Sequence, residues 1–354
     1  RPGMPLLSSL QAVAHGSQSV MYFQWRKGRG AAEMFHGAVV DHDGRSDVRV
    51  FQDVRQVGLA LEKLAPVYDS PREDAQACII FDWNNWWAIE YAQTGHNKKM
   101  KYNETVLMHY RQLWERGIAV DFQDMRAVTD LSGYKLVICP MLFMFREGFE
   151  QKLRTFVEQG GTLVMTYDSG VVDGDDLAFL GGRPGGLMDV LGMRGAELDA
   201  LFPDDRQAMV MNNGRRFPVT ELCEIPEHLG AEVLATYGHD FYAGMPCLTR
   251  NRFGKGTAYY LAAKVNADGL DAMYQEVLSH LPLDRALDAA LPRGVTASRR
   301  GDTVFLQNYN PQPVKLRLNQ DYTDLLTGEK QPRKLTLPGF GVMVLTEMTK
   351  DQEE

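Results

Sequence analysis

A short stretch near the start of the chain gathers four side chains that could bind a sugar. The apolar run "VMYFQW" ends at Trp25, and Arg26 opens the basic, glycine-rich "RKGRG". Glu33 and His36 follow in "AAEMFHG", where a helical turn would point both side chains the same way. Such a pair can hydrogen-bond to neighbouring hydroxyl groups, and a tryptophan ring can cover the apolar face of a sugar. A surface network that merely ties down a loop, together with a core tryptophan, would give the same pattern.

A second cluster consists of three tryptophans, Trp83, Trp86 and Trp87, in "FDWNNWWAIE" directly after a predicted strand. The ends of strands in open α/β sheets are where ligands tend to bind. These rings could wall a carbohydrate pocket, form the centre of a subunit contact, where tryptophan is enriched, or pack between domains. The sequence alone does not separate the three possibilities.

Other candidate motifs lack the spacing that their chemistry needs. Cys139 ends a strand-like run but is followed by Pro140 and "MLFMF", and no His-x-Glu follows late in the domain, so an active glutaminase is disfavoured. The glycines of "GGRPGGLMDVLG" and "RFGKGT" match neither a dinucleotide-binding turn nor a P-loop. The four cysteines form no C-x-x-C pair, which disfavours a structural zinc site. Cys78 and Cys139 lie inside strand-like runs, which predicts small buried thiols and suggests a reducing, cytoplasmic compartment. We therefore expect no metal and no cofactor.

The composition limits the class of protein. A chain of 354 residues predicts two or three domains, and 44% hydrophobic with 24% charged residues is typical of a soluble globular protein. The net charge of -8 argues against binding nucleic acid, since phosphate contacts need clustered Lys and Arg. No apolar run approaches the roughly 20 residues that span a bilayer.

The elements that must position the first cluster are a helix, a strand and a second helix within the first ~70 residues. "LLSSLQAVAHG" and "DVRVFQDVRQVGLALEKLAPV" are the helices, the second ended by Pro66. "QSVMYFQW" is predicted to be a strand buried on both faces. A lone strand has no partner for its backbone, so this part should be prone to aggregation and its deletion should improve behaviour.

The middle of the chain, from about Ala77 to Leu281, alternates strands and helices with short connections, which predicts an open parallel sheet covered by helices on both faces. "GDDLAFLGGRPGGLMDVLGM" is predicted to be an irregular excursion with a short helix. After Pro292 the pattern changes to short alternating strands, which predicts a small antiparallel β-domain. The strand-like runs are "ACIIFD", "IAVDFQD", "KLVICP", "TLVMTY", "AEVLATY" and "GTAYYLAA" in the middle, and "VTASRRG", "TVFLQNYN", "VKLRLN", "YTDLLTG" and "VMVLTE" at the end.

The segment "SSLQAVAHGSQSVMYFQWRKGRGAAEMFHGAVVDHDG" resembles the end of the catalytic barrel in β-galactosidases of glycoside hydrolase family 42. The family phrase, an aromatic–x–W–R–x segment followed by Glu–x–x–His and a small residue, reads here "FQWRKGRGAAEMFHG". Similarity continues through "RVFQDV", "FDWNNWWAIE", "YNETVLMHYRQLWERGI", "GGTLVMTYDSGVVD" and "TRNRFGKGTAYYLAA", and so covers almost the whole chain.

The resemblance implies an α/β fold in three parts. Residues 1–72 would be the C-terminal end of a β/α barrel, here incomplete. Residues 73–288 would be a glutamine-amidotransferase-like, flavodoxin-like parallel α/β domain used for trimerisation, and residues 289–348 a small antiparallel β-domain. The implied activity is hydrolysis of terminal β-galactosyl residues with retention by a homotrimer.

The resemblance also implies roles for the first cluster. Glu33 and His36 match the galactose-contacting Glu and His of the family, and Trp25 and Arg26 match positions at the end of the last barrel strand. The two catalytic glutamates of the family lie upstream of Arg1, so the chain is expected to be the C-terminal portion of a β-galactosidase and to be inactive alone. No carboxylate of this chain is assigned to fill that gap, and we assign no catalytic residue.

Two alternatives from other classes remain open at this point. One is a non-catalytic oligomerisation or carbohydrate-binding protein built on the α/β domain. The other is a flavodoxin-like or amidotransferase enzyme.

Overall fold

The structure, a computed structural model, describes residues 1–92, 101–146 and 148–347. Within these residues the α-helices are α1 (Met4–Ala14), α2 (Arg49–Lys63), α3 (Trp83–Tyr91), α4 (Tyr102–Trp114), α5 (Phe149–Glu158), α6 (Met188–Leu191) and α7 (Ala267–His280), with 3₁₀ helices at Ala31–Phe35 and Ala65–Val67. The strands are β1 (Ala77–Ile80), β2 (Val120–Gln123), β3 (Leu136–Cys139), β4 (Thr162–Thr166), β5 (Met193–Ala200), β6 (Gln207–Met211), β7 (Arg216–His228), β8 (Glu232–Tyr237), β9 (Pro246–Phe253), β10 (Gly256–Leu261), β11 (Ala263–Val265), β12 (Val295–Arg300), β13 (Thr303–Asn308), β14 (Val314–Arg317), β15 (Tyr322–Asp324), β16 (Glu329–Gln331), β17 (Lys334–Leu337) and β18 (Val342–Glu347).

The chain divides into two compact units. The first unit combines Arg1–Asp74 with Trp114–Ala119 and Arg285–Glu354, and the second combines Ala75–Leu113 with Val120–Asp284. The N-terminal helices and the C-terminal strands therefore belong to the same unit. A search of the described residues for a membrane-spanning helix finds none.

The C-terminal strands of the first unit are antiparallel, as their alternating pattern predicts. β12, β13, β18, β15 and β16 form one sheet in that order, and β14 pairs with β17. Helix α1 packs on β13, and the N-terminal segment shares an apolar core with the C-terminal strands. Its buried members are Leu10, Val13, Ala14, Leu64, Val67, Phe305 and Val344.

A buried arginine links the same parts of the first unit. Arg300, at the end of β12, is 2% exposed, and its guanidinium donates to four backbone carbonyls of the N-terminal segment. The acceptors are the carbonyl oxygens of Val13 (2.9 Å), Ser17 (2.8 Å), Tyr68 (2.6 Å) and Ser70 (3.1 Å). The helices that flank the first cluster are thus tied to the C-terminal β-sheet.

The predicted strand "QSVMYFQW" is wrong. In the structure no strand lies between α1 and the 3₁₀ helix at Ala31–Phe35, and the side chains of Met21, Phe23 and Trp25 are 89%, 81% and 63% exposed. The apolar pattern is real, but among the described residues the segment has no strand partner beyond a single bridge at Arg26. The helices on either side were predicted correctly.

The second unit contains the parallel sheet that the alternating pattern predicts. Its strands lie in the order β2-β1-β3-β4-β10, and neighbours in this series are parallel. β1, β3 and β4 are buried at every position, as expected of apolar runs covered on both faces. Cys78 and Cys139 lie inside these strands as buried free thiols, which confirms their prediction as small core residues.

The sheet does not stop at β10, which the sequence analysis did not foresee in full. Within the described residues it continues through antiparallel β9, β8, β6, β7 and β11, with β5 paired to β7, to give eleven strands. Of this antiparallel arm, only β8 was predicted. The short α6 does lie in the glycine-rich excursion where a short helix was predicted.

Candidate functional site

The loop that carries the first cluster is closed by its own backbone. The amide of Val40 donates to the carbonyl of Trp25 (2.7 Å), and the amide of Val39 donates to that of Gln24 (3.0 Å). The amide of Lys27 in turn donates to the carbonyl of Val40 (3.1 Å). These bonds bring the two ends of the glycine-rich loop together, so the residues between them project as one unit.

Glu33 and His36 meet on a single 3₁₀ turn at Ala31–Phe35. His36 Nδ1 lies 3.0 Å from Glu33 Oε2, and each side chain is 52% exposed. Gln24 Nε2 donates to the same carboxylate oxygen at 3.4 Å. Gly28 lies against Glu33, since a Cβ at Gly28 would come within 2.8 Å of Glu33 Cβ. The turn therefore presents an acceptor carboxylate and an imidazole side by side to solvent.

Trp25 and Arg26 lie at the edge of the loop. The indole of Trp25 is largely exposed and packs edge-to-face on Phe51, with ring centroids 6.2 Å apart. Arg26 is exposed, and its backbone forms the bridge to Val40. The structure thus brings all four predicted residues into one loop, with Glu33 and His36 in direct contact.

The sequence analysis missed the residues that hold this loop. Lys27 Nζ lies 3.3 Å from Asp41 Oδ1, and the ring Nε2 of His42 is 2.8 Å from the carbonyl oxygen of Gly28. The backbone amide of His42 and the Lys27 ammonium both hold the pKa of Asp41 below its usual value. The available signal was the clustering of charged residues in "VVDHDG", which is no more than most surface loops show.

In the second unit, the environment of Cys139 does not suit a glutaminase nucleophile. Cys139 is fully buried, and burial raises the pKa of its thiol well above the usual value, so the reactive thiolate is disfavoured. Met141 lies two residues further along, with a positive φ of 44°. A side chain without nucleophilic chemistry therefore occupies the sharp turn after β3. Among the described residues, no group of three or more His, Cys, Asp or Glu side chains is arranged to hold a metal ion.

The tryptophan cluster begins α3, directly after β1. Trp83 and Trp86 stack with ring centroids 5.2 Å apart and planes 11° apart, and Trp86 Nε1 donates to Glu90 at 2.9 Å. Trp83 and Trp87 remain 53% and 58% exposed. Trp86 is half-buried, so the cluster is mainly a surface feature of the second unit.

Comparison with known proteins identifies the family. Residues 75–284, more than half of the chain, match a family model described as the β-galactosidase trimerisation domain. This chain belongs to the β-galactosidases of glycoside hydrolase family 42. Residues 1–64 of this family 42 chain match the model described as β-galactosidase, and residues 294–347 match the β-galactosidase C-terminal domain.

Individual relatives agree with the family assignment. The family 42 chain is 44% identical to β-galactosidase Pbg of Clostridium perfringens and to β-galactosidase BglY of Alicyclobacillus acidocaldarius, in each case over 98% of this chain and 51% of the relative. Among solved structures, the cold-adapted β-galactosidase from Rahnella sp. R3 superimposes with a TM-score of 0.93 at 46% identity, over 98% of this chain and 51% of that one. The chain thus spans about half the length of the relatives it matches.

Proposed function

We propose that this chain supplies the galactose-binding wall and the assembly domain of a retaining β-galactosidase. Glu33 and His36 hold the hydroxyl groups of the terminal galactosyl ring, while Trp25 and Arg26 border the same wall. The substrate class is a β-galactoside, and the compartment is the cytoplasm, in keeping with four buried free cysteines.

The observation that carries this proposal is the exposed Glu33–His36 contact, which lies in the segment that matches the β-galactosidase model. With Nδ1 of His36 donating to the carboxylate, its Nε2 is left to accept a hydrogen bond from a sugar hydroxyl. The second oxygen of Glu33 can accept from a neighbouring hydroxyl. The pair therefore offers two hydrogen-bond acceptors side by side, as neighbouring hydroxyl groups of one ring require.

The chemistry requires two further carboxylates. Retention of configuration needs an acid/base and a nucleophile about 5–5.5 Å apart across the anomeric carbon. We assign neither to this chain. The role of Glu33 and His36 is to position the ring, and hydrogen bonds that strengthen in the transition state would contribute to rate as well as to binding.

The proposal assigns three parts to the chain. Residues 1–72 close a β/α barrel, residues 73–288 form a glutamine-amidotransferase-like, flavodoxin-like trimerisation domain, and residues 289–348 form the terminal β-domain. The strand order β2-β1-β3-β4-β10 supports the second label, since it is the order of flavodoxin-like sheets. The assembly that we propose is a homotrimer, supported by the match to the trimerisation model over 75–284.

A chimeric enzyme tests the assignment of the sugar wall. This chain would replace the matching half of the Rahnella β-galactosidase. The two proteins match over 98% of this chain. We expect the chimera to hydrolyse a chromogenic β-galactoside, and Glu33→Gln to lower kcat/KM by about 10- to 100-fold through loss of a charged hydrogen bond. The conservative Asp47→Asn, in an exposed ion pair with Arg45 between the loop and α2, serves as control.

Two results would contradict this part of the proposal. One is a folded, active chimera in which Glu33→Gln leaves kcat/KM unchanged. The other is a chimera that folds and binds galactose but does not turn over, which would favour a carbohydrate-binding role for this chain instead.

A further inference from the structure

Helix α3 presents a stripe of aromatic side chains to solvent. Trp83, Trp87 and Tyr91 recur every fourth residue, so they lie on one face of the helix. Their exposed fractions are 53%, 58% and 78%. Together these three side chains expose on the order of 400 Å² of mostly apolar surface, comparable with the largest patch on a typical monomer. We call this surface the α3 aromatic face.

Hydrogen bonds on the buried side of α3 fix the position of the α3 aromatic face. Asp82 caps the helix by accepting from the amide of Asn85 (3.0 Å). The buried Asn85 side chain then donates to the carbonyl of Met141 (3.1 Å) and accepts from the amide of Met144 (2.9 Å). These bonds fasten the start of α3 to the segment after β3. A rigid aromatic surface loses little conformational entropy on docking, which favours tight association.

Two more strongly exposed phenylalanines of the second unit lie on loops or turns and lack this support. Phe202 and Phe241 are 76% and 74% exposed, but each lies outside the helices and strands of the second unit, in a loop or turn. Neither belongs to a continuous stripe on one element. The α3 aromatic face is therefore better suited to form the centre of an interface than either loop residue, since tryptophan and tyrosine dominate interface hot spots.

We propose that the α3 aromatic face docks onto a second copy of this chain and forms part of the trimer contact. The inference rests on the proposed trimer, and it adds the place on the second unit where the copies meet. The whole helix lies within residues 75–284, the part that matches the trimerisation model. The three side chains would supply roughly half of the ~800 Å² that each partner contributes to a standard interface.

Charge substitutions on the face test this inference in the full chain. Trp87→Glu and Tyr91→Glu place a carboxylate in the proposed contact, while Phe241→Glu places the same charge on an exposed aromatic residue outside α3. Mass would be measured by sedimentation velocity over a range of concentrations, with circular dichroism to check folding. We expect the wild type and Phe241→Glu to be trimeric, and Trp87→Glu and Tyr91→Glu to dissociate at least tenfold more readily while folded.

The outcomes separate this inference from the proposal beneath it. A monomeric wild type would overturn both. A trimeric wild type whose two α3 variants remain trimeric would overturn only the α3 contact and leave the trimer standing. Should the α3 variants instead keep their mass and lose a galactose-dependent change in tryptophan fluorescence, the face would be a sugar platform and the inference would be wrong.

Discussion

The two units each bury charge, but they neutralise it in different ways. In the first unit, the buried guanidinium of Arg300 meets four backbone carbonyls. In the second unit, the buried carboxylate of Glu224 pairs with Arg183 at 2.6 Å and accepts a hydrogen bond from the hydroxyl of Tyr260. The charges of Glu224 and Arg183 also act on the buried carboxyl of Asp168. An arginine bound to carbonyls keeps its charge at any ordinary pH, whereas a second buried carboxyl can take up a proton. The first centre should therefore be insensitive to pH and the second sensitive to it.

The largest effect is expected at Arg300. Replacing it by Met leaves four carbonyls of the N-terminal segment without their donor, three of the bonds being part-buried and one buried. We expect the free energy of unfolding of the first unit to fall by about 3 kcal/mol or more, because buried acceptors without partners keep their full desolvation cost. Urea unfolding followed by circular dichroism would measure this.

Arg333→Met is the matched control for this prediction. Arg333 pairs with Asp321 at 2.8 Å, and both side chains are more than half exposed. Exposed pairs contribute about 0–1 kcal/mol, so the control should unfold close to the wild type. Equal losses for the two variants would mean that Arg300 does not join the parts of the first unit.

The contacts between the N-terminal segment and the C-terminal sheet reverse one expectation drawn from the sequence. Deletion of the first ~70 residues was expected to improve behaviour because a lone strand would be removed. In the structure those residues cover Phe305 and Val344 of the C-terminal sheet, and their loss would uncover this core. We now expect the deletion to destabilise the first unit.

The next largest effect is expected in how the stability of the second unit depends on pH. Burial, and then the charge of Glu224, raise the pKa of Asp168 to about 7, although Arg183 acts in the opposite direction. An unfolded aspartate titrates near pH 3.9, so the folded state binds the additional proton between about pH 4 and 7. The stability contributed by that proton is complete below this range and is lost as pH rises through it. Above about pH 7 it no longer changes.

Asp168→Asn tests this pH dependence with an isosteric side chain that does not titrate. We expect the Tm of the wild type to fall between pH 5 and 8 by on the order of 5 °C more than that of the variant. Differential scanning calorimetry at several pH values would give both curves. Parallel curves would show that Asp168 does not take up a proton in this range.

How much of the molecule the sequence predicts depends on whether the signal is local. The buried runs of β1, β3 and β4 carry their pattern within themselves, and all three were predicted. β7 was not, since Pro218 and Pro226 interrupt it and its partners β5, β6 and β11 are themselves short or polar. The segment after α1 shows the opposite error, because an apolar pattern indicates a strand without showing whether a partner strand exists.

The contacts of the candidate site also differ in whether a local sequence pattern predicts them. Glu33 and His36 are three residues apart, and their contact was predictable from helical spacing. The contacts of Gln24 with Glu33 and of His42 with Gly28 span 9 and 14 residues through an irregular loop, and no periodic pattern points to them. Arg300 reaches carbonyls up to 287 residues away, which no local pattern in "VTASRRG" could indicate.

The smallest effect is expected where function is proposed. The Glu33 and His36 side chains are each about half exposed, so their contact is screened by water and contributes little to folding. We expect Glu33→Gln to change the free energy of unfolding of this chain by no more than about 0.5 kcal/mol, measured by urea unfolding beside Arg300→Met. A loss above about 1 kcal/mol would show that Glu33 holds the loop together, and any fall in activity of the chimera would then have a structural cause. If Glu33→Gln changes the free energy of unfolding little but lowers kcat/KM as expected, the role of Glu33 is to bind the ring. The buried Arg300 would then determine stability, and the exposed Glu33 would determine activity.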